Sequence, residues 1–413
     1  LQTPSTAAIL ALEDGLIFEG ISIGYQGSTC GEVVFNTAMT GYQEILSDPS
    51  YAEQIVTLTY PHIGNTGTNE EDNESGRVYA KGLVIRDLSM VVSNWRSTSS
   101  LYHYLESQKI VGIAEIDTRE LTHHLRKHGA QRGAIVTGAT LASIDRDAAV
   151  EMAKNARDLK GLDLAQEVTC KAPYRFNEKT WGPKASTASG TTAASIGITT
   201  ALIVGAPHEA PEHSRDSALI SKFKVVVLDY GVKRNILRIL VDLGCEVHVL
   251  PAKSTLTDVM SYKPDGVVFS NGPGDPEPCD YAIKLIQDLL KTPIPIYGIC
   301  LGHQLLGLAL GAKTYKMAFG HHGANHPVMD LETQKVWTTS QNHGFAIQEE
   351  GMPSEMIVTH RSLFDQSIQG IRLKDRPVYA FQGHPEASPG PHDAMTLFLP
   401  FIDAMKVYHA KTH

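Results

Sequence analysis

"YGICLGHQLL" (residues 297–306) sets one cysteine between two glycines, each two positions away. An apolar run from Ile294 to Ile299 leads in, and an apolar stretch with helical spacing leads out and stops at Gly311. The pattern reads as a buried strand that turns sharply into a helix, with Cys300 at the corner. Such a corner lifts its side chain above the sheet on a strained backbone, and its neighbours two before and two after must be small to let it pass. Gly298 and Gly302 meet that need, so G-x-C-x-G is the cysteine form of a nucleophile elbow. The following helix turns its positive end toward the sulfur, which favours thiolate, and N–H groups at the same turn can hold an oxyanion. On this motif alone, a buried structural cysteine between packing glycines is an equal reading.

Outward from the corner, strand and helix patterns alternate. "KVVVLDYG" (224–231) is a buried-strand run ending in Gly, and "KRNILRILVDLG" (233–244) has helical spacing and a Gly stop. "EVHVLP" reads as a strand, "DGVVFSNGPGDP" (265–276) as a strand entering a tight loop, "YAIKLIQDLLK" as a helix and "IPIYGIC" as a strand. Alternation on this scale predicts an α/β fold with a mainly parallel, doubly wound sheet. Sites in such sheets form beyond the carboxyl ends of the strands. Residues 183–221 are rich in Ala, Ser, Thr, Gly and Pro, with no charge from Ala185 to His208, and read as an exposed linker in which "ITTALIV" is β-prone. Before it, "AILALEDGLIFEG" (8–20) reads as a hairpin turning at Asp14-Gly15. "DTRELTHHLRKHG" (117–129) reads as a helix within a mixed α/β domain. The expected division is 1–182, linker 183–221, and 222–413.

A chain of 413 residues is too long for one ordinary core, and 42% hydrophobic content allows more than one. A net charge of −9 leaves no basic surplus to neutralise phosphates, which argues against a general nucleic-acid binder. No apolar run approaches membrane-spanning length, and "LQTPSTAAIL" lacks the layout of a secretory signal. The five cysteines are scattered, odd in number and without a CxxC pair, as expected of reduced thiols in a cytoplasmic setting rather than a disulfide framework or zinc site.

A thiolate nucleophile needs a base, and the base an orienting acid. With 18 histidines a lone one means little. "FQGHPEASPG" (381–390) stands out because it follows the strand-like "VYAF". His384 and Glu386 are two apart, so an extended segment would project both from one face. A solvated Pro/Gly turn is the plainer reading; joined to the elbow, the catalytic one prevails. "SNGPGDP" (270–276) lies at the right edge for a site, and Gly272 and Gly274 let the backbone approach a ligand. It lacks GxxxxGK[ST], and Pro273 and Pro276 remove donors, so it is no phosphate loop. "SQNHGFA" (340–346) is a polar insert, either hairpin or ligand edge. His321, His322 and His326 invite a metal, but Gly323 and Pro327 break helical ligand geometry and no acid is near in sequence, so no metal is expected.

Together, G-x-C-L-G-H-Q, the GPGDP loop and the H-P-E triplet resemble the class I glutamine amidotransferase domain. "GEVVFNTAMTGYQEILSDPSYAEQIVTLTYPHIGNTG" and "GLVIRD" resemble the N-terminal domain of the small subunit of carbamoyl phosphate synthetase. The resemblance implies that Cys300 attacks the glutamine side-chain amide, His384 acts as base and then protonates departing ammonia, and Glu386 orients the histidine. It implies an oxyanion hole at the N–H groups of Gly272 and Leu301. It implies glutamine binding by Ser50, Gly272, Gly274, Leu301, Gln304, Asn342, Gly344 and Phe345. It further implies a large-subunit partner that binds ATP and Mg, with no cofactor on this chain, and carbamoyl phosphate made for arginine and pyrimidine synthesis. The alternatives are a related thiol hydrolase, such as a γ-glutamyl hydrolase or peptidase, and a non-catalytic scaffold.

Overall fold

The computed structural model describes residues 6–182 and 223–412. The linker expected at 183–221, with its "ITTALIV" piece, lies outside the described residues.

The N-terminal half is built on a closed seven-stranded barrel. In order around it run Ala7–Leu12, Ile17–Gly24, Val111–Ala114, Gly82–Val84, Gln54–Leu58, Ser28–Asn36 and Gln131–Gly138, which returns to Ala7–Leu12. The first two strands form the expected hairpin, with Ala8 opposite Gly20 and Leu10 opposite Phe18. Period-two alternation sorts the side chains. Ala8, Leu10 and Leu12 pack with Val33, Ile55 and Ile135 and with Leu121 and Leu125 of the helix Thr118–His128. Ile9 and Ala11 turn the other way, onto Ile144 and Ala149. Closure leaves the barrel without exposed edges. The sequence reading anticipated a mixed domain here, not a closed barrel.

The C-terminal half is a ten-stranded sheet in the order Tyr174–Phe176, Glu246–Pro251, Lys224–Asp229, Gly266–Phe269, Ile296–Ile299, Val378–Phe381, Ile368–Leu373, Met356–Ser362, Lys313–Asp330, Val336–Gln348. The five strands from Glu246–Pro251 to Val378–Phe381 run parallel to one another, and the rest pair antiparallel. Both faces are covered, as a doubly wound sheet requires. Val226, Leu228 and Phe269 face one core, shared with the helices Asp280–Leu289 and Leu301–Leu310. Val225, Val227 and Val268 face another, shared with the helices Arg234–Asp242 and Leu399–Thr412.

One edge differs from the expected division. Tyr174–Phe176 precedes residue 182 yet adds to the C-terminal sheet, antiparallel to Glu246–Pro251, and Ala165 is buried in the C-terminal core. Three residues make a strand too short to read by alternation, and pairing decides where it belongs. Among the described residues no helix is long and apolar enough to cross a membrane, and no cysteine is in a disulfide.

Candidate active site

The sharp turn between Ile296–Ile299 and Leu301–Leu310 is made at Cys300, whose backbone sits at φ 53, ψ −102. That is a left-handed φ in a residue with a side chain, a strained state that persists only where the surroundings enforce it. The glycines show why they are needed. A Cβ on Gly302 would stand 2.1 Å from the carbonyl oxygen of Phe269, on the adjacent strand, and one on Gly298 would stand 2.7 Å from the Gly302 carbonyl. Cys300 occupies the N-cap position of the helix Leu301–Leu310 and is buried, its Sγ 3.5 Å from the carbonyl oxygen of Asn342.

His384 and Glu386 meet, though not as their spacing suggested. Only His384 is bridged to a strand, its N–H donating to the Ser340 carbonyl at 2.9 Å. The chain then turns, with the Ala387 N–H donating back to His384 at 3.1 Å and Ala387 and Ser388 both at positive φ. The expectation of an extended segment is therefore corrected: a tight turn, not strand alternation, brings the two side chains together. The ring Nδ1 lies 2.7 Å from Glu386 Oε1. Nε2 is buried without a hydrogen-bond partner among the described residues, and the Cys300 side chain lies near enough to stabilise the imidazolium.

Glu386 is fully buried, and a third charge balances it. The Lys233 ammonium donates to Glu386 Oε1 at 2.9 Å and to the Ala387 carbonyl at 2.6 Å. Burial pushes against every charge in this group. It alone would lower the His384 pKa, but the Glu386 carboxylate overrides it and raises the imidazole well above its ordinary value. Burial alone would raise Glu386, but Lys233 and His384 hold it below the usual carboxylate range. Lys233 in turn is kept charged by Glu386 and Glu74 against its own burial. Glu74, buried, accepts from the Asn235 N–H at 2.9 Å and ties the N-terminal half to this network.

The N-terminal half also reaches the thiol side. Asp48 accepts from the Ser50 N–H at 2.8 Å and from Asn342 Nδ2 at 3.0 Å, and Asn271 Nδ2 donates to Ser50 Oγ at 2.9 Å. A cavity of about 20 Å³ beside Cys300 is walled from both halves, by Ser50, Gln54 and Leu159 on one side and by Gly272, Gln304 and Phe345 among others on the second. That is space for about one water. Gly274, Asn342 and Gly344 line it as well, and beyond the Gly344 Cα there is open space. Gln304 Nε2 donates to the Phe345 carbonyl at 2.8 Å. Leu301 and Gly272 spend their N–H groups on no partner in the turns and loops described, while Gly302 donates to Ser270 at 3.0 Å. Of the residues the sequence singled out, Ser50, Gly272, Gly274, Cys300, Gln304, Asn342, Gly344 and Phe345 line this cavity, and His384 lines a second small void that shares Asn342 with it. The "SQNHGFA" insert is both things its sequence allowed, part of a long hairpin strand and an edge of the cavity.

Sequence reading missed Lys233, Glu74, Asp48, Asn271 and Gln54. For Lys233 a signal existed: it follows "KVVVLDYG" beyond the carboxyl end of a parallel strand, the edge where sites form. Asn271 shares that signal, since it lies in the "SNGPGDP" loop after Gly266–Phe269; Glu74, Asp48 and Gln54 carry no local signal. His321, His322 and His326 lie in one strand of the long hairpin. His321 meets the rings of His326 and His343 at 5.2 and 5.1 Å, but no group of three metal-ligating side chains among the described residues could hold an ion.

Residues 226–404, which carry this cysteine and the His–Glu pair, match the family "Glutamine amidotransferase class-I". Residues 10–135 match "Carbamoyl-phosphate synthase small chain, CPSase domain". Similarity to curated relatives extends over nearly the whole chain. It is 57% identical to the carbamoyl phosphate synthase small chain of Thioalkalivibrio sulfidiphilus, covering 97% of this chain and 98% of that one. Identity to the small chain of Pseudomonas syringae pv. tomato is 56%, over 96% and 98% of the two chains. For Vibrio parahaemolyticus it is 55%, over 98% and 100%. The chain belongs to the carbamoyl phosphate synthase small chain family.

Proposed function

We propose that this chain hydrolyses L-glutamine to glutamate and ammonia at Cys300 and delivers the ammonia to the large subunit of carbamoyl phosphate synthase. The observation that carries the reading is a strained cysteine at a helix N-cap position, beside a buried histidine whose charge is held up by Glu386. In the first step, with the Cys300 proton already held on His384 Nε2 as the imidazolium that Glu386 stabilises, the sulfur bonds to the side-chain carbonyl carbon of glutamine. The Leu301 and Gly272 N–H groups, unspent elsewhere in the turns, stabilise the oxyanion. As the C–N bond breaks, His384 returns the proton to nitrogen and ammonia leaves a γ-glutamyl thioester. Water then adds with His384 as base, and the C–S bond breaks to release glutamate. Glu386 orients the ring and offsets its charge without itself transferring a proton. Ser50, Gly274, Gln304, Asn342, Gly344 and Phe345 bind the substrate, at the junction of an N-terminal domain and an amidotransferase domain.

Ammonia freed into neutral water would protonate and lose its lone pair, so an enclosed exit suits this chemistry. A small void lined by Asp48, Tyr51, Lys233 and His384 shares Pro389 with a wider cleft of about 330 Å³ lined by Gly41, Thr66 and Gly390, which supports such a path. ATP and Mg act on the partner, and the setting is cytoplasmic. A peptidase reading lacks a use for the 10–135 domain, and a non-catalytic scaffold lacks a use for the Cys300, His384 and Glu386 set. Cys300→Ser is expected to cut glutamine hydrolysis by about 10³-fold or more. Ammonia-driven carbamoyl phosphate synthesis by the assembled enzyme should persist. Glutamine hydrolysis surviving in Cys300→Ser would refute the assignment, and carbamoyl phosphate made from glutamine without the second chain would refute the division of labour.

A further inference from the structure

The cavity beside Cys300 presents a charge problem. A free amino acid that widened this space to bind there would bring an α-ammonium, yet among the described residues no Asp or Glu lines the cavity. The cation must be met by neutral oxygens or nitrogens. Several polar atoms in the wall are already engaged. Ser50 Oγ accepts from Asn271, Asn342 Oδ1 lies 2.8 Å from His322 Nδ1, and Gln304 Nε2 donates to the Phe345 carbonyl.

Two residues that line the cavity each have a buried side-chain atom with no partner among the described residues, His343 Nε2 and Gln54 Oε1. An unpartnered buried acceptor costs stability, and native structures keep few without a reason. Gln54 opens the barrel strand Gln54–Leu58, is 5% exposed, and its backbone carbonyl is held by the Lys81 N–H at 2.7 Å. The strand thus fixes the residue while its amide oxygen stays free. That oxygen carries a larger partial negative charge than an imidazole nitrogen, which suits a cation. It also comes from the barrel, across the cavity from the amidotransferase loops.

On the reading of this site as a glutaminase, we infer that Gln54 is a specificity-determining residue whose side-chain oxygen accepts from the α-ammonium of the bound glutamine. The barrel thereby selects a free amino acid, while the amidotransferase half supplies the thiol. A glutamine residue inside a peptide, acylated on that nitrogen, would lack both the charge and the free N–H groups this contact uses.

The test compares L-glutamine with 4-carbamoylbutanoate, which is glutamine without its α-amino group, in the assembled enzyme. Gln54→Met keeps the length and removes the acceptor. KM for L-glutamine is expected to rise on the order of ten- to a hundredfold, the range for a hydrogen bond to a charged group. Hydrolysis of 4-carbamoylbutanoate should stay near its original kcat/KM, so selectivity falls by the same factor. A structural role alone would lower both substrates together, and that outcome, or unchanged selectivity, overturns the inference. If Gln54→Met does not fold, as read by its melting temperature, Gln54→Glu decides. It retains an acceptor and should retain selectivity for L-glutamine, whereas selectivity lost there equally refutes the ammonium contact. Wild-type enzyme inert toward L-glutamine would instead refute the glutaminase reading itself.

Discussion

Buried histidines in the C-terminal half are pushed in opposite directions. His384 is buried beside Glu386 at 2.7 Å, and its pKa is raised. His322, His326 and His343 are buried in the long hairpin Lys313–Asp330 and Val336–Gln348, and theirs are lowered. Burial is the largest influence in every case and always disfavours the imidazolium. In the hairpin it is reinforced by other histidines, and His326 falls to about 3 and His322 to about 4. At His384 one carboxylate reverses the outcome. Depth alone therefore does not set histidine chemistry here; the nearest fixed charge does. Glu386 can stay ionised in so dry a place because Lys233 shares its Oε1. A buried ion pair of this kind is weak evidence for stability, since desolvation offsets most of the attraction. It makes sense as a device that holds one imidazole ready to carry a proton.

The largest effect that would break this contrast is expected at His384 itself. His384→Asn keeps a polar side chain but cannot shuttle the proton, and loss of a general base typically costs about 10²–10⁴-fold. Turnover at saturating glutamine is the measurement, and a loss of only a few-fold would place the base elsewhere.

A smaller effect sharpens the contrast. Glu386→Gln removes the carboxylate and leaves burial in command, so His384 becomes a neutral histidine like those of the hairpin. Turnover is expected to fall by less than in His384→Asn, on the order of tenfold, because the ring can still exchange a proton. The pH profile is the more specific readout. The limb that reports His384 should move toward acid, and a limb left in place would mean that Glu386 does not set the charge.

The smallest effect lies in the hairpin. His326, with its pKa lowered, binds a proton in the unfolded chain near its ordinary value but resists it when folded. Unfolding therefore takes up a proton as pH falls below about 6.5, and stability is lost in that window. His384 has the opposite sign: its contribution is complete below the unfolded value and lost as pH rises through the raised folded one. His326→Gln cannot titrate, so between pH 7 and pH 5.5 it should lose about 1 kcal/mol less stability than wild type. Denaturant unfolding at the two pH values tests this, and identical losses would mean that His326 is charged in the folded state.

The elbow and its strands could be read in advance because their rules are local. Gly298, Cys300 and Gly302 are tied by the sterics of one turn, and the apolar runs at 224–229 and 296–299 by the need of a parallel strand to be buried on both faces. The His384–Glu386 pairing was foreseen for the wrong geometric reason. Two residues apart favoured an extended segment, whereas the turn that joins them depends on Ala387 and Ser388 at positive φ, which ordinary side chains do not advertise. Barrel closure was not foreseen, because each strand shows only its own alternation and not which neighbour completes the ring.

The sequence by itself determined the nucleophile candidate, its turn and the parallel sheet beneath it, since these follow from periodicity and hard-sphere contact among neighbours in the chain. Only the tertiary structure decided what surrounds them. Lys233 reaches Glu386 across 153 positions, Asn235 meets Glu74 across 161, and Asn342 meets Asp48 across 294. Hydrogen bonds and charges in a buried site answer to distance in space, where a shift of an ångström changes their strength and sign of effect. No spacing along the chain encodes that distance.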